Sequence, residues 1–264
     1  MSDNLFSVKD QVVLVSGASR GIGRAVAQGF AQRGAKVIIT GRDRGVLEQT
    51  AREIAPEGTT VRPVVCDVAK KADIDNLVQT VIADFGHIDT LLNVAGVNRR
   101  MPAEQFREDD YDFIMDINLK GPFLLSLAVG KHMLERRQGN QINVASLNND
   151  RPLKGVLPYA MSKAGLGHMT RVLALEWGPR GVRVNGIAPG FILTDLTKKM
   201  WSEPHMQAWN MANCPLQRMG QPADMIGAAI FLASPASAFL TGQMIYVDGG
   251  FTCGLAWPID FSKQ

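Results

Sequence analysis

The chain has 264 residues, of which 46% are hydrophobic and 20% charged, a globular balance with ample apolar residues for a core and too many for disorder. Its 28 Lys and Arg against 25 Asp and Glu leave a formal charge of +3, with no basic run to follow a nucleic-acid backbone, so no nucleic-acid partner is expected. Cys66, Cys214 and Cys253 form no C-x-x-C pair, and His87, His132, His168 and His205 lack close ligand spacing, so neither a disulfide scaffold nor a metal centre is expected. The first residues carry Asp3 and Asp10 and no apolar stretch of signal-peptide length. No run approaches about eighteen uninterrupted apolar residues, so a cytoplasmic protein without a membrane partner is expected. Glycine, with 26 copies, is the one excess.

A first apolar run, Val12 to Val15, passes through Ser16-Gly17 to Ile22, Val26 and Phe30, which are spaced as one face of a helix. Strand, glycine turn and helix therefore open the chain. The pattern repeats with a strand at Val37 to Ile39, a helix at Val46 to Ile54, a strand at Val61 to Val65, a helix at Ile74 to Phe85 and a strand at Leu91 to Val94. A long helical stretch from Asp109 to Arg137 follows, then a strand at Gln141 to Ala145, a helix at Tyr159 to Trp177 and a strand at Val182 to Ile187. A helix at Met225 to Leu232 and a strand at Met244 to Val247 end the pattern. Strands that are apolar throughout are buried on both faces, as in parallel sheets covered by helices. The expected fold is α/β: one domain over residues 1–264, a doubly wound seven-stranded parallel sheet with helices on both faces. Two segments depart from the rhythm. Residues 194–220, with Trp201, Met206, Trp209 and Met211 interrupted by Pro204 and Pro215, are too long for a connection and read as a lid over a substrate. Residues 251–264, with Phe251, Leu255, Trp257, Ile259 and Phe261, are too apolar to hang in water and are expected to pack on the domain or another subunit.

The turn Gly17-Ala18-Ser19-Arg20-Gly21-Ile22-Gly23 stands where a dinucleotide pyrophosphate is held. A helix amino terminus offers unpaired N–H groups and a positive dipole end, and glycines let phosphate approach the backbone. About twenty residues further on, where an acid would take a ribose 2'-hydroxyl, the chain has Thr40-Gly41-Arg42. Arg42 and Arg20 can bracket a 2'-phosphate by charge-assisted hydrogen bonds, so NADP(H) is expected in preference to NAD(H). Asp67, after the third strand, is a candidate acceptor for the adenine amino group.

Tyr159 and Lys163 lie one helical turn apart and share a face. Ser146 ends the preceding strand, and carboxyl ends of strands are where doubly wound sheets place ligands. Together they suit hydride transfer coupled to proton transfer at an alcohol or ketone. A free tyrosine titrates near about pH 10, and an ammonium about 4 Å away is worth on the order of 4 kcal/mol at an effective dielectric of about 20. Lys163 is therefore expected to draw Tyr159 toward neutrality. Tyr159 would be the general acid and base, Lys163 its activator and a ligand of the nicotinamide ribose, and Ser146 the donor that fixes the substrate oxygen.

These residues, over nearly the whole chain, resemble the short-chain dehydrogenase/reductase family, whose fold is the Rossmann type. Gly17, Gly21 and Gly23 fit its Thr-Gly-x-x-x-Gly-x-Gly turn, with Ser16 in place of Thr, and Ser146, Tyr159 and Lys163 fit its catalytic residues. The resemblance makes Asn118 the residue that holds a proton-relay water against Lys163, and Asn185 with Pro189-Gly190 the segment after the sixth strand. It places Pro189, Gly190, Ile192 and Thr194 at the nicotinamide carboxamide, and Ser19, Ile22, Val68, Asn93, Ala95 and Gly96 among the other cofactor contacts. One departure is Asn93-Val94-Ala95-Gly96 for Asn-Asn-Ala-Gly, which implies loss of a polar brace between central strands while Asn93 still faces the cofactor. Within the family, the chain is similar to sugar-acid dehydrogenases of the gluconate 5-dehydrogenase and 2-dehydro-3-deoxygluconate 5-dehydrogenase kind, through Gly96-Val97-Asn98-Arg99-Arg100 and Ser146-Leu147-Asn148-Asn149. Arg99 and Arg100 are candidate clamps for a substrate carboxylate. Asn148, Trp201, Ser146 and Tyr159 complete the expected substrate contacts. A 3-oxoacyl thioester or hydrophobic ketone is the rival substrate, with Trp201, Met206, Trp209 and Phe251 as an apolar lining. A regulator that binds dinucleotide without catalysis is the rival of another class. The resemblance implies a homotetramer or homodimer.

Overall fold

Seven parallel strands, β1 (Val12–Ser16), β2 (Lys36–Gly41), β3 (Val61–Val65), β4 (Thr90–Asn93), β5 (Gly139–Val144), β6 (Val182–Pro189) and β7 (Met244–Val247), lie in the order β3-β2-β1-β4-β5-β6-β7. This is the expected doubly wound α/β sheet. The structure is a computed structural model and describes residues 4–57, 59, 61–195 and 197–254. The helices are α1 (Gly21–Ala31), α2 (Arg44–Ile54), α3 (Lys71–Phe85), α4 (Glu108–Met115), α5 (Gly121–Arg136), α6 (Leu157–Trp177), α7 (Lys198–Trp201), α8 (Pro204–Asn213) and α9 (Asp224–Ala233).

Why the strands lack a polar alternation is visible in β1. Val13 and Val15 join Phe30, Leu47, Ile54 and Met225 on one side of the sheet, while Val12 and Leu14 join Leu77, Val81, Leu125 and Trp177 on the other. Successive side chains of a strand point to opposite faces, and here both faces carry a helical layer, so Val12 to Val15 are apolar at every position. Val13 sits opposite Val37 of β2 and Thr90 of β4. The chain winds outward in both directions from β1 and β4, and the crevice at their carboxyl ends is where this topology leaves room for a ligand.

The stretch expected as one helix from Asp109 to Arg137 is broken. A π-helical turn, Asp116–Lys120, separates α4 from α5. Pro122 has no N–H to give to the carbonyl four residues back, and Gly121 packs so closely that a Cβ there would stand 2.6 Å from the Val68 carbonyl oxygen. Such wide turns frequently mark functional sites, and this one carries Asn118. By length and composition Glu108–Arg136 is apolar enough to cross a membrane, but 50% of its most apolar window is buried, and α5 packs on the sheet as a core helix. Residues 198–213 form α7 and α8, with Pro204 in the first turn of α8, where its missing N–H costs nothing. Phe251 packs edge-on against Phe191 at 4.9 Å. Leu255, Trp257, Ile259 and Phe261 lie outside the described residues.

Candidate active site

A cavity of about 890 Å³ opens along the carboxyl ends of the strands. At one end the turn after β1 is shaped by backbone that only glycine allows. Gly17 and Gly21 have φ of +70° and +56°, and a Cβ on Gly17 would stand 2.5 Å from the Ala95 Cα. The helix that follows starts at Arg20 with no capping side chain and no acid in its first turn, so its first N–H groups and dipole are left for an anion. Gly17, Ser19, Arg20, Gly21, Ile22 and Gly23 all line the cavity, as do Arg42, Asp67 and Val68 at the ends of β2 and β3. Arg20 and Arg42 are exposed and in no ion pair among the described residues. One oxygen of Asp67 accepts from the Ala69 N–H at 3.1 Å, which aims the carboxylate. Cys66 is part of this wall, and burial, with Asp73 and Asp67 nearby, pushes its thiol up to about 12. These features fit a dinucleotide.

The middle of the cavity gathers Ala95, Gly96, Ser146, Tyr159, Lys163, Pro189, Gly190, Ile192 and Thr194 from four separate segments. Ser146 lies two residues past the end of β5 and accepts from the backbone N–H and the side-chain amide of Asn148, each at 3.2 Å. Tyr159 and Lys163 share a face of α6, with the Lys163 Nζ 5.7 Å from the Tyr159 ring centroid. The Nζ donates to the Val144 carbonyl at 2.9 Å. Burial lowers the Lys163 ammonium to about 8. Burial also raises the Tyr159 hydroxyl above its ordinary value, against a hydrogen bond from Ser146 and the positive charge of Arg100. The expected depression of Tyr159 by Lys163 does not appear in this structure: the Nζ stands 5.7 Å from the ring centroid, and the lowering influences come from Ser146 and Arg100.

Asn118 is fully buried behind this wall. It exchanges two hydrogen bonds with the backbone of Val97, at 2.8 and 2.9 Å, and donates to Ser162 Oγ at 3.2 Å. Its Oδ1 and the Lys163 Nζ each lie 3.6 Å from where a Cβ on Gly96 would be, so both flank Gly96.

Two expectations need correction. Asn93 does not face the cavity; its amide donates to Ser126 and Asn143, both at 2.9 Å, and thereby supplies the brace between central strands that seemed lost. The alternation of β4 turns Asn93 inward, and its neighbour Val94 lines the cavity instead. Arg99 is likewise drawn away: it pairs with the buried Asp110, with its guanidinium 4.5 Å over the Phe113 ring. Arg100 is the member of the pair that lines the cavity. Asn148 lines it too, but its Oδ1 accepts from the Leu153 N–H at 3.0 Å and its amide donates to Ser146 Oγ at 3.2 Å, so it orders the loop and Ser146. Trp201, only 3% exposed, joins Met200, His205, Met206 and Trp209 in the wall from α7 and α8. Lys154 and Asn98 also line the cavity and carry no periodic or spacing signal in the sequence; only their nearness to Tyr159 and Arg100 along the chain could have pointed to them.

The family model described as enoyl-(acyl carrier protein) reductase matches residues 17–252. Gluconate 5-dehydrogenase of Gluconobacter oxydans is 36% identical over 96% of this chain and 98% of its own length. D-threitol dehydrogenase of Mycolicibacterium smegmatis is 40% identical over 94% and 95%. A solved gluconate 5-dehydrogenase from Burkholderia cenocepacia, in complex with NADP and tartrate, superposes with a TM-score of 0.92 at 35% identity, covering 96% of this chain and 99% of that one. With the glycine turn, the Ser146, Tyr159 and Lys163 set and the sheet order already in place, these likenesses settle the assignment: the chain belongs to the short-chain dehydrogenase/reductase family and is an NAD(P)-dependent alcohol/ketone oxidoreductase.

Proposed function

We propose that the protein interconverts a secondary alcohol and a ketone on a sugar acid or polyol, in the manner of a gluconate 5-dehydrogenase, with NADP(H) preferred over NAD(H). The observation that carries this reading is one continuous cavity with Arg20 and Arg42 at the glycine-turn end and Ser146, Tyr159 and Arg100 at the other. When bound, the nicotinamide gives or takes the hydride. The protein does the rest. Ser146, ordered by Asn148, donates to the substrate oxygen and fixes its position. Tyr159, held protonated by burial, gives its proton to that oxygen as a ketone is reduced; in the alcohol direction it accepts one, helped by Ser146 and Arg100. Lys163 would hold the nicotinamide ribose, and Asn118, whose Oδ1 lies with the Lys163 Nζ beside Gly96, would hold a proton-relay water against it. Pro189, Gly190, Ile192 and Thr194 take the carboxamide end. Asp67 is the acceptor for the adenine amino group, and residues 194–220 close over the substrate.

A single domain over residues 1–264, cytoplasmic and assembled as a homotetramer or homodimer, belongs to the same reading. Exposed Phe123, Leu127, Val172 and Leu175 on α5 and α6 support the association. The aromatic wall of Trp201 and Trp209 supports the second substrate reading, a 3-oxoacyl thioester or hydrophobic ketone. Steady-state kinetics on a panel of sugar acids, polyols and acyl thioesters with each cofactor decide between them. The expected result is turnover of a sugar acid with kcat/KM about 10- to 100-fold higher for NADP+ than NAD+, the worth of one or two charge-assisted hydrogen bonds. Turnover confined to thioesters, or a preference for NAD+, would overturn the substrate or the cofactor part respectively.

A further inference from the structure

We infer that Asp110 and Arg99 form a positioning pair whose effect is to leave Arg100, with Lys154, free as the receptor for a substrate carboxylate; the inference deepens the sugar-acid reading and rests on it. Arg99 and Arg100 are adjacent in the chain and alike in chemistry, yet their fates differ. Asp110 is 3% exposed, a poor place for a lone carboxylate. One of its oxygens takes Arg99, and the other accepts from the Arg107 N–H at 3.2 Å and Nε at 3.4 Å. The Arg99 guanidinium is further held over Phe113. Arg99 so engaged is unavailable to a ligand, and the buried carboxylate is satisfied without Arg100.

A second tie brings Lys154 to the same place. The Met101 N–H donates to the Gly155 carbonyl at 3.0 Å, joining the loop that carries Arg100 to the loop that carries Lys154. That second loop is pinned in turn through Leu153 to Asn148, the partner of Ser146. Arg100 and Lys154 are exposed at the cavity wall, and neither has an ion-pair partner among the described residues. The acids of the cavity wall are Asp67, at the adenosine end, and Asp195. Two unneutralised cations beside the proposed proton donor favour an acid over a neutral polyol, because a carboxylate takes both an arginine fork and an ammonium.

The test is calorimetric binding of D-gluconate and of neutral sorbitol to the enzyme with NADPH present, with turnover measured in parallel. Arg100→Ala is expected to weaken gluconate about 10- to 100-fold and sorbitol less than twofold. Arg99→Ala is expected to weaken gluconate as well, although Arg99 lies off the cavity, because Asp110 then recruits Arg100. Removing that pull in Arg99→Ala/Asp110→Asn restores gluconate affinity at least in part, which a merely structural role would not do. Lys154→Ala, at an exposed position, gives a smaller loss and serves if the Asp110 variant folds poorly. The inference is overturned if wild-type enzyme binds gluconate no better than sorbitol, if Arg100→Ala affects both alike, or if Arg99→Ala leaves gluconate binding unchanged. A wild-type enzyme that binds gluconate through Arg100 but does not oxidise it would overturn the substrate reading and leave the subsite standing.

Discussion

The two ends of the cavity are built from different materials. At the glycine-turn end the shape is backbone: left-handed Gly17 and Gly21, an uncapped helix start and a close approach of Ala95 that leaves no room for a Cβ. At the opposite end the shape is side chains on loops and short helices: Arg100, Lys154, Trp201, Met206 and Trp209. Backbone sites cannot vary without moving the fold, whereas side-chain walls can be exchanged on a fixed sheet. One scaffold can therefore keep its cofactor and change its substrate. Gluconate 5-dehydrogenase and D-threitol dehydrogenase, both relatives of this chain, act on an acid and a neutral polyol by their names.

A methyl group placed at the backbone end gives the largest predicted effect. Gly17→Ala adds left-handed strain and a collision with Ala95, each worth about 1–3 kcal/mol, so thermal unfolding should show a loss of about 2–6 kcal/mol together with loss of NADPH binding. If Gly17→Ala keeps both, the backbone end is not as constrained as its geometry requires.

Lys163 lies between the two ends, and its effect is pH-dependent. Its folded pKa of about 8 is below the ordinary 10.5, so the unfolded chain holds a proton that the folded one has released between those values, and stability from this group rises with pH across that window. The rise totals on the order of 3 kcal/mol. Melting temperatures of wild type and Lys163→Met, measured from pH 7 to 10, should converge as pH increases; parallel curves would show that Lys163 is not the buried, charge-penalised group described.

The smallest effect belongs to a cap outside both ends. Asp43 Oδ1 accepts from the Val46 N–H at 2.9 Å at the start of α2. Asp43→Ala should cost about 1 kcal/mol of stability and leave cofactor choice unchanged, although it adjoins Arg42. A change in NADP+ preference in this variant would mean that the cap orders Arg42.

The same contrast explains what the sequence revealed. The sheet was legible because its central strands face two covered sides and carry apolar runs, as Val12 to Val15 does, and the glycine turn because its constraint lies in residue type and spacing. Ser146, Tyr159 and Lys163 were legible from their order along the chain. The π-helical turn at Asp116–Lys120 was not, since the helical period runs on through it and only Pro122 hinted at a missing hydrogen bond. Asn93 was misplaced by one residue of strand alternation, which exchanges the cavity face for the interior. The division of Arg99 from Arg100 depends on Asp110, eleven residues away on another element, and no local pattern encodes such a pairing. The raised hydroxyl of Tyr159 was hidden for a similar reason, because it depends on burial, which no local pattern encodes.

The proposed chemistry turns on Tyr159 passing the proton in an alcohol/ketone reaction in this cavity. It is tested most directly by following NADPH formation with gluconate for wild type and Tyr159→Phe, alongside NADPH binding by each. For Tyr159→Phe the expected result is a fall in kcat of about 10²- to 10⁴-fold with cofactor affinity retained. A Tyr159→Phe enzyme that turns over as wild type does would contradict it.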